Sequence, residues 1–230
     1  MNIVLLGPPG AGKGTQSRII QDKYHLVHIS TGDMCRDEVK RASPIGKEIQ
    51  QIIDSGRFPS DEIILSLFEN HLIELKGQGV ILDGIPRTLN QAQKIKEIFA
   101  RLDRTLDGVI QIAVKDEELI QRLSHRYICR NCGASYTEEI HPHVQGVCDK
   151  CSSHDFFRRP DDEPDAIRTR LEVYNEQTKP LIKFYAEEGK LKVIDGMGSV
   201  EAVTAEIESH LSEFQVLTSK SGCLYSAQDI

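Results

Sequence analysis

The stretch Gly7-Pro8-Pro9-Gly10-Ala11-Gly12-Lys13-Gly14-Thr15 concentrates the residue types that handle phosphate. Read from Gly7 it is G-x-x-x-x-G-K-G-T, one glycine longer than the usual G-x-x-x-x-G-K-[ST] loop. Glycines let backbone N–H groups turn inward around phosphate oxygens, and a following helix presents its positive end to them. Lys13 supplies a point charge, and Thr15 a hydroxyl for the phosphates or their Mg²⁺. The competing reading is a glycine-rich strand-to-helix turn with a chance lysine. Against it, an apolar run at residues 3–6 precedes the loop and a helical pattern at 16–24 follows it. The loop predicts a nucleoside triphosphate site.

A second cluster is Cys129-x-x-Cys132 and Cys148-x-x-Cys151, separated by fifteen residues. Each pair puts two sulfurs on one tight turn, and the spacer is long enough for a small β-hairpin to bring the turns together. Four thiolates then meet a tetrahedral demand, which suits Zn²⁺ in a closed structural site. Iron or another thiolate-bound metal, and disulfides, are the alternatives. His141, His143 and His154 lie nearby as substitute ligands or as solvated hairpin histidines. A metal would supply folding energy that so small a segment cannot draw from an apolar core. Closed by four sulfurs, the site has no open position for catalysis. Cys35 and Cys223 read as unconnected thiols, one in a helix and one in the tail.

Arginines form the third pattern: Arg36, Arg87 after the Asp83-Gly84-Ile85-Pro86 turn, Arg122, Arg126, Arg159, Arg168 and Arg170. The planar guanidinium fork matches phosphate oxygens. Singly, each reads as a surface arginine; together they border the two irregular segments and a strand's carboxyl end, and predict an anion-binding cleft. Arg122 and Arg126 are four apart, on one predicted helix face. Asp83, ending the run 80–82, is a natural holder of Mg²⁺, or else a turn aspartate. Asp161 and Asp162 either pair with arginines at a hinge or cap the next helix.

The elements that would position these groups follow from periodicity. Apolar runs at 2–6, 27–29, 80–82, 109–114 and 192–194 alternate with helical patterns at 13–24, 33–41, 46–55, 61–75, 89–101, 117–126, 165–188 and 200–214. That alternation predicts an α/β fold, a five-stranded parallel sheet covered on both faces. Ser60 and Asp116 are expected helix caps, Gly77 a stop, and Pro180 a bend or break. Residues 30–59 form a helical insertion and 127–159 a Cys- and His-containing one. The core is then 1–29, 60–126 and 160–214, and 215–230 reads as a flexible tail. The 230 residues carry a formal charge of −7 and 39% hydrophobic residues. This argues against general nucleic-acid or acidic-membrane binding, while leaving room for a local basic cleft. No apolar run is long enough to span a bilayer and no secretory signal is visible, so a cytoplasmic enzyme is expected.

Taken together, GPPGAGKGT at 7–15, STGDMCR at 30–36, LDGIPRTLNQA at 82–92, the paired C-x-x-C and RRPDD at 158–162 resemble the adenylate kinase family, in its bacterial long-lid type with a four-cysteine zinc lid. The resemblance runs from Met1 to about Phe214. It implies a nucleoside monophosphate kinase fold and the reversible reaction ATP + AMP ⇌ 2 ADP with Mg²⁺, by a monomer. On that pattern Gly10, Ala11, Gly12, Lys13, Gly14 and Thr15 hold ATP phosphates. Arg122, Arg126, Ser135 and Tyr136 contact ATP, with the backbone near Gly198 at the adenine. Thr31, Arg36, Arg57, Phe58, Pro59, Gly84, Ile85, Pro86, Arg87 and Gln91 line the AMP pocket, and Arg159 and Arg170 bridge the nucleotides. Lys13, Arg87, Arg126, Arg159 and Arg170 are the expected stabilisers of transferring charge. The sequence departs from the family at Ile85, usually Phe, at Phe58-Pro59, usually aliphatic, and in the tail. Rival readings are a UMP or CMP kinase, a zinc-ribbon nucleic-acid-binding protein, and a loop that binds ATP without catalysis.

Overall fold

The computed structural model describes residues 1–55 and 57–221, with side chains of the last helix as far as Phe214. Its elements run β1 (Asn2–Leu6), α1 (Lys13–Tyr24), β2 (Val27–Ser30), α2 (Thr31–Lys40), α3 (Pro44–Asp54), α4 (Asp61–Glu74), β3 (Val80–Asp83), α5 (Leu89–Arg101), β4 (Gly108–Ala113) and α6 (Asp116–Ser124). There follow β5 (Tyr127–Cys129), β6 (Ser135–Tyr136), β7 (Phe156–Phe157), α7 (Pro164–Val173), α8 (Pro180–Glu187), β8 (Leu191–Asp195) and α9 (Val200–Ser221). Five strands form one parallel sheet in the order β2-β3-β1-β4-β8.

Strand alternation divides this sheet between two cores. Val4, Leu6, Ile29, Val80, Leu82 and Val109 face one, with α2 to α5 and α8 packed over them. Ile3, Leu5, Ile81, Ile110 and Ile112 face the other, under α1 and α9. Both faces are therefore dry, as continuous apolar strands demand. β1 is central, with β3 on one side and β4 on the other. Its carboxyl end is the point where an open sheet of this kind binds ligands.

Several helix ends differ from expectation for local reasons. Ser30 caps α2, its hydroxyl accepting from the Asp33 N–H at 3.2 Å, so the helix starts at Thr31. Ser43 and Pro44 start α3. Ser60 caps α4 as expected. Asp116 is not a cap: it is the first residue of α6 and, with Glu117 and Glu118, places negative charge on the helix's positive end. The long pattern at 165–188 breaks before Pro180, through a π-turn at Tyr174–Thr178, and Pro180 then opens α8. Residues 216–221 continue α9, against the expected irregular tail. Cys223 and the rest of 222–230 lie outside the described residues.

Between α6 and α7 the expected hairpin is a three-stranded antiparallel sheet, β6-β5-β7. Tyr127, Tyr136 and Phe156 meet with ring centroids 5.6–5.8 Å apart. They pack on Cys129, Ala134 and Cys148, a small core next to the thiols.

Phe68, fully buried in α4, stacks on Phe99 of α5 at 6.3 Å, joining two helices that cover the sheet. Phe68→Ala is expected to cost about 3–5 kcal/mol through lost burial and a cavity. Calorimetry should show a melting temperature lower by roughly 10 °C with little change in turnover at low temperature.

Candidate active site

A cavity of about 820 Å³ opens at the carboxyl ends of β1, β2 and β3. Its floor is the glycine-rich loop, and it runs from Thr31, Arg36 and Arg57–Pro59 on one side to Ser135, Tyr136 and Gly198 on the other. Every candidate nucleotide-binding residue but one lines it. The exception is Ile85, whose side chain is 1% exposed in the larger core and braces the Gly84–Arg87 turn from beneath.

Lys13 begins α1 behind Gly12, so the helix presents free amide donors toward the cavity. The Lys13 ammonium donates to the carbonyls of Gly7 and Pro8 at 2.8 and 2.9 Å. Burial pulls its pKa down to about 8; Asp83 opposes the shift, while Arg87, Arg170 and Arg126 add to it. Asp83 ends β3 across from it. Burial would raise this carboxyl, but a hydrogen bond from His28, 3.3 Å away, and the Lys13 charge hold it below its ordinary range. An ionised carboxylate beside the side-chain-free Gly14 is a hard oxygen donor of the kind Mg²⁺ takes.

The acceptor side is tied together by its own side chains. Thr31 Oγ1 donates to the Gly84 carbonyl at 2.9 Å, and Arg87 Nε to the same oxygen at 2.7 Å. The Gly84 backbone is left-handed (φ +77°), and a Cβ there would come within 2.7 Å of Thr31 Oγ1 and 2.9 Å of Arg87, so only glycine fits. Gln91 accepts from the Arg87 N–H and donates to Asp61, each at 2.7 Å. The Phe58 ring covers the Arg87 guanidinium at 4.0 Å. Arg36 bonds Asp33 at 2.6 Å.

Two arginines converge on Asp162, which is 1% exposed. Arg126 grips it with both prongs at 2.8 and 2.6 Å, and Arg170 reaches it at 2.8 Å. Asp161 also faces Arg170, at 3.2 Å. Of the two readings of this aspartate pair, the arginine pairing is the one observed; Glu163 takes the cap position of α7. Arg126 itself lies just past the end of α6 rather than on it, yet joins Arg122 at the cavity wall. Arg159 is different: its Nε is buried without a hydrogen-bond partner among the described residues. Burial, then Arg126 and Arg36, pull it down to about 9, and burial with Arg170 pulls Arg87 down to about 10. Both stay protonated at neutral pH and face a cavity that favours anions. Arg168 stays on the surface, near Asp165.

The four cysteine sulfurs lie within 4.8 Å of one another. Cys129 to Cys151 and Cys132 to Cys148 are each 3.5 Å apart, far beyond a sulfur–sulfur bond and close to the edges of a tetrahedral thiolate site. The cluster could hold a metal such as zinc. Against the effect of burial, the Tyr136 hydroxyl and the N–H groups of Lys150 and Cys151 pull Cys148 down to about 6, favouring thiolate. The histidines stand apart: His143 bonds Asp149 at 3.1 Å and His154 the Gly146 carbonyl at 3.0 Å.

Sequence reasoning missed His28, Arg18 and Cys35 on the cavity wall. His28 belongs to no motif, and nothing in the sequence pairs it with Asp83, 55 residues away.

A sequence model of the adenylate kinase family matches residues 5–190. The adenylate kinase of Allorhizobium ampelinum is 46% identical over 214 residues, covering 92% of this chain and 99% of that protein. That of Lactobacillus delbrueckii subsp. bulgaricus is 46% identical over 216 residues (93% and 99%), and that of Paramagnetospirillum magneticum 43% over 213 (92% and 98%). By fold and by relatedness along nearly its whole length, this chain belongs to the adenylate kinase family and is a phosphotransferase with adenylate kinase activity.

Proposed function

We propose that the cavity seats ATP on the glycine-rich loop and AMP against Thr31, Arg36, the 57–59 segment and Gln91, with their phosphates meeting between Lys13 and the arginines. The observation that carries this is the Arg159 Nε, buried beside Arg126 and Arg36 without a hydrogen-bond partner among the described residues, a donor whose burial makes sense beside phosphate. An oxygen of the AMP phosphate attacks the γ-phosphorus of ATP. The bond to the bridging oxygen of the β-phosphate breaks, and two ADP molecules leave. Lys13, Arg87, Arg126, Arg159 and Arg170 neutralise charge on the moving group and its neighbours. Asp162 keeps Arg126 and Arg170 oriented, and the Gly84 carbonyl and Phe58 ring do the same for Arg87. Asp83 would hold Mg²⁺, which would supply positive charge to offset that of the ATP phosphates.

Residues 1–29, 60–126 and 160–214 act as the rigid base, 30–59 as a cover for AMP and 127–159 as a lid for ATP. Closure gathers the arginines and excludes water from the phosphoryl group. The lid metal is zinc in this reading, and its task is to keep a small moving flap folded. We further propose a cytoplasmic monomer. Among the described residues no helix is long and apolar enough to cross a membrane, and light scattering tests the oligomeric state.

Initial rates with AMP, UMP, CMP and GMP at fixed MgATP should be highest with AMP; preference for a pyrimidine would overturn the acceptor assignment. Lys13→Ala should cut turnover by about 10²–10³-fold. Because the wild-type ammonium is buried at a cost, the apo melting temperature should hold or rise.

A bound polyphosphate raises the Lys13 pKa from its depressed value of about 8. ATP binding then takes up protons above that pH, so affinity should fall as pH rises past about 8, read by calorimetry in buffers of different ionisation enthalpy. For the apo protein the sign is opposite. The unfolded lysine (10.5) holds its proton longer than the folded one (about 8), so Lys13's contribution to stability improves between those values. Cys129→Ser should lose bound metal and melt earlier while keeping appreciable activity in the cold; full inactivation of a still-folded protein would contradict a structural metal.

A further inference from the structure

Arg18 lies one helical turn beyond Gly14 on α1, on the side of the helix that lines the cavity. Its guanidinium reaches across to the insertion between α6 and α7 and meets Gly133, the residue after Cys132. A Cβ at Gly133 would lie 2.9 Å from Arg18 Nη2, and the backbone there is left-handed (φ +70°), so the turn leaves room for the guanidinium only as glycine. The turn itself is stiff: the Gly133 N–H donates to the Cys129 carbonyl at 2.8 Å, and the Cys129 N–H to Ala134 at 2.9 Å. Cys132 is the exposed member of the four thiols, whereas Cys129 and Cys148 are buried.

The charges suit this contact. Four thiolates around a divalent ion leave a net charge of about −2, and that centre sits one residue from the point Arg18 touches. From this geometry we infer that Arg18 is a latch: a positioning residue on the base that holds the metal-bearing flap down over the donor nucleotide. The inference rests on the reading of residues 127–159 as the ATP lid. It gives the thiolate centre a second consequence, since the charge that folds the flap also draws it onto α1.

The test uses the full-length, metal-loaded protein without nucleotide, with a dye pair at the exposed positions Ile73 and Val144 (54% and 61% exposed) introduced as clickable non-natural residues. Single-molecule energy transfer reads the ratio of open to closed flap. Arg18→Gln should raise that ratio about five-fold and weaken ATP binding by a similar factor, with AMP affinity and metal content unchanged. Arg18→Lys should restore most of both. The difference between wild type and Arg18→Gln should fade at about 1 M salt, where screening reaches about 3 Å. An unchanged distance distribution in Arg18→Gln overturns the latch, even if ATP binds more weakly, because Arg18 would then act on the nucleotide alone. Should ATP fail to shorten the dye distance in the wild type, the lid reading itself falls, whatever Arg18 does.

Discussion

Cations crowded around one cavity with too few anions to match them are the constraint around which this protein is built. Lys13, Arg87, Arg159 and Arg170 are all depressed, with burial as the first cause and mutual repulsion adding to it. Asp83, Asp161 and Asp162 relieve part of that cost, and Asp162 alone holds two guanidinium groups at 2.6–2.8 Å. What is left over is positive charge pointing at one cavity. Such a site has already met the reorganisation cost that water would impose on phosphoryl transfer.

Rigidity underneath makes the crowding tolerable. The loop that carries Lys13 leaves the central strand, and both faces of that strand are sealed by apolar residues at alternate positions. Asp83 and the Gly84–Arg87 turn leave the adjacent strand β3 in register with it, Leu5 beside Asp83. The groups that must be fixed therefore stem from hydrogen-bonded neighbours. The groups brought in from elsewhere, Arg36 and the 127–159 segment, come from elements that lie outside this sheet.

Much of this was legible in the sequence because it rests on local rules. Short continuous apolar runs mark the five strands, and glycine and lysine at fixed spacing mark the phosphate loop. Two C-x-x-C pairs mark the sulfur cluster. What the sequence hid are pairings between distant residues: His28 with Asp83, Arg126 with Asp162, Arg18 with Gly133. Ile85 was misplaced because its neighbours in the turn all face the cavity; the turn's geometry sends this one side chain into the core. The break before Pro180 was expected from the ring, yet its form, a π-turn upstream, depends on the packing of Tyr174 and Thr178 and on the Thr178 hydroxyl donating to the Arg87 carbonyl at 2.9 Å.

The most direct measurement is a crystal structure with two adenosines joined through five phosphates, a mimic of both substrates at once. The account predicts Lys13, Arg87, Arg126, Arg159 and Arg170 all within hydrogen-bonding distance of phosphate oxygens, with Arg159 Nε partnered. Phosphates bound elsewhere, or those side chains turned to solvent around a bound ligand, would contradict it.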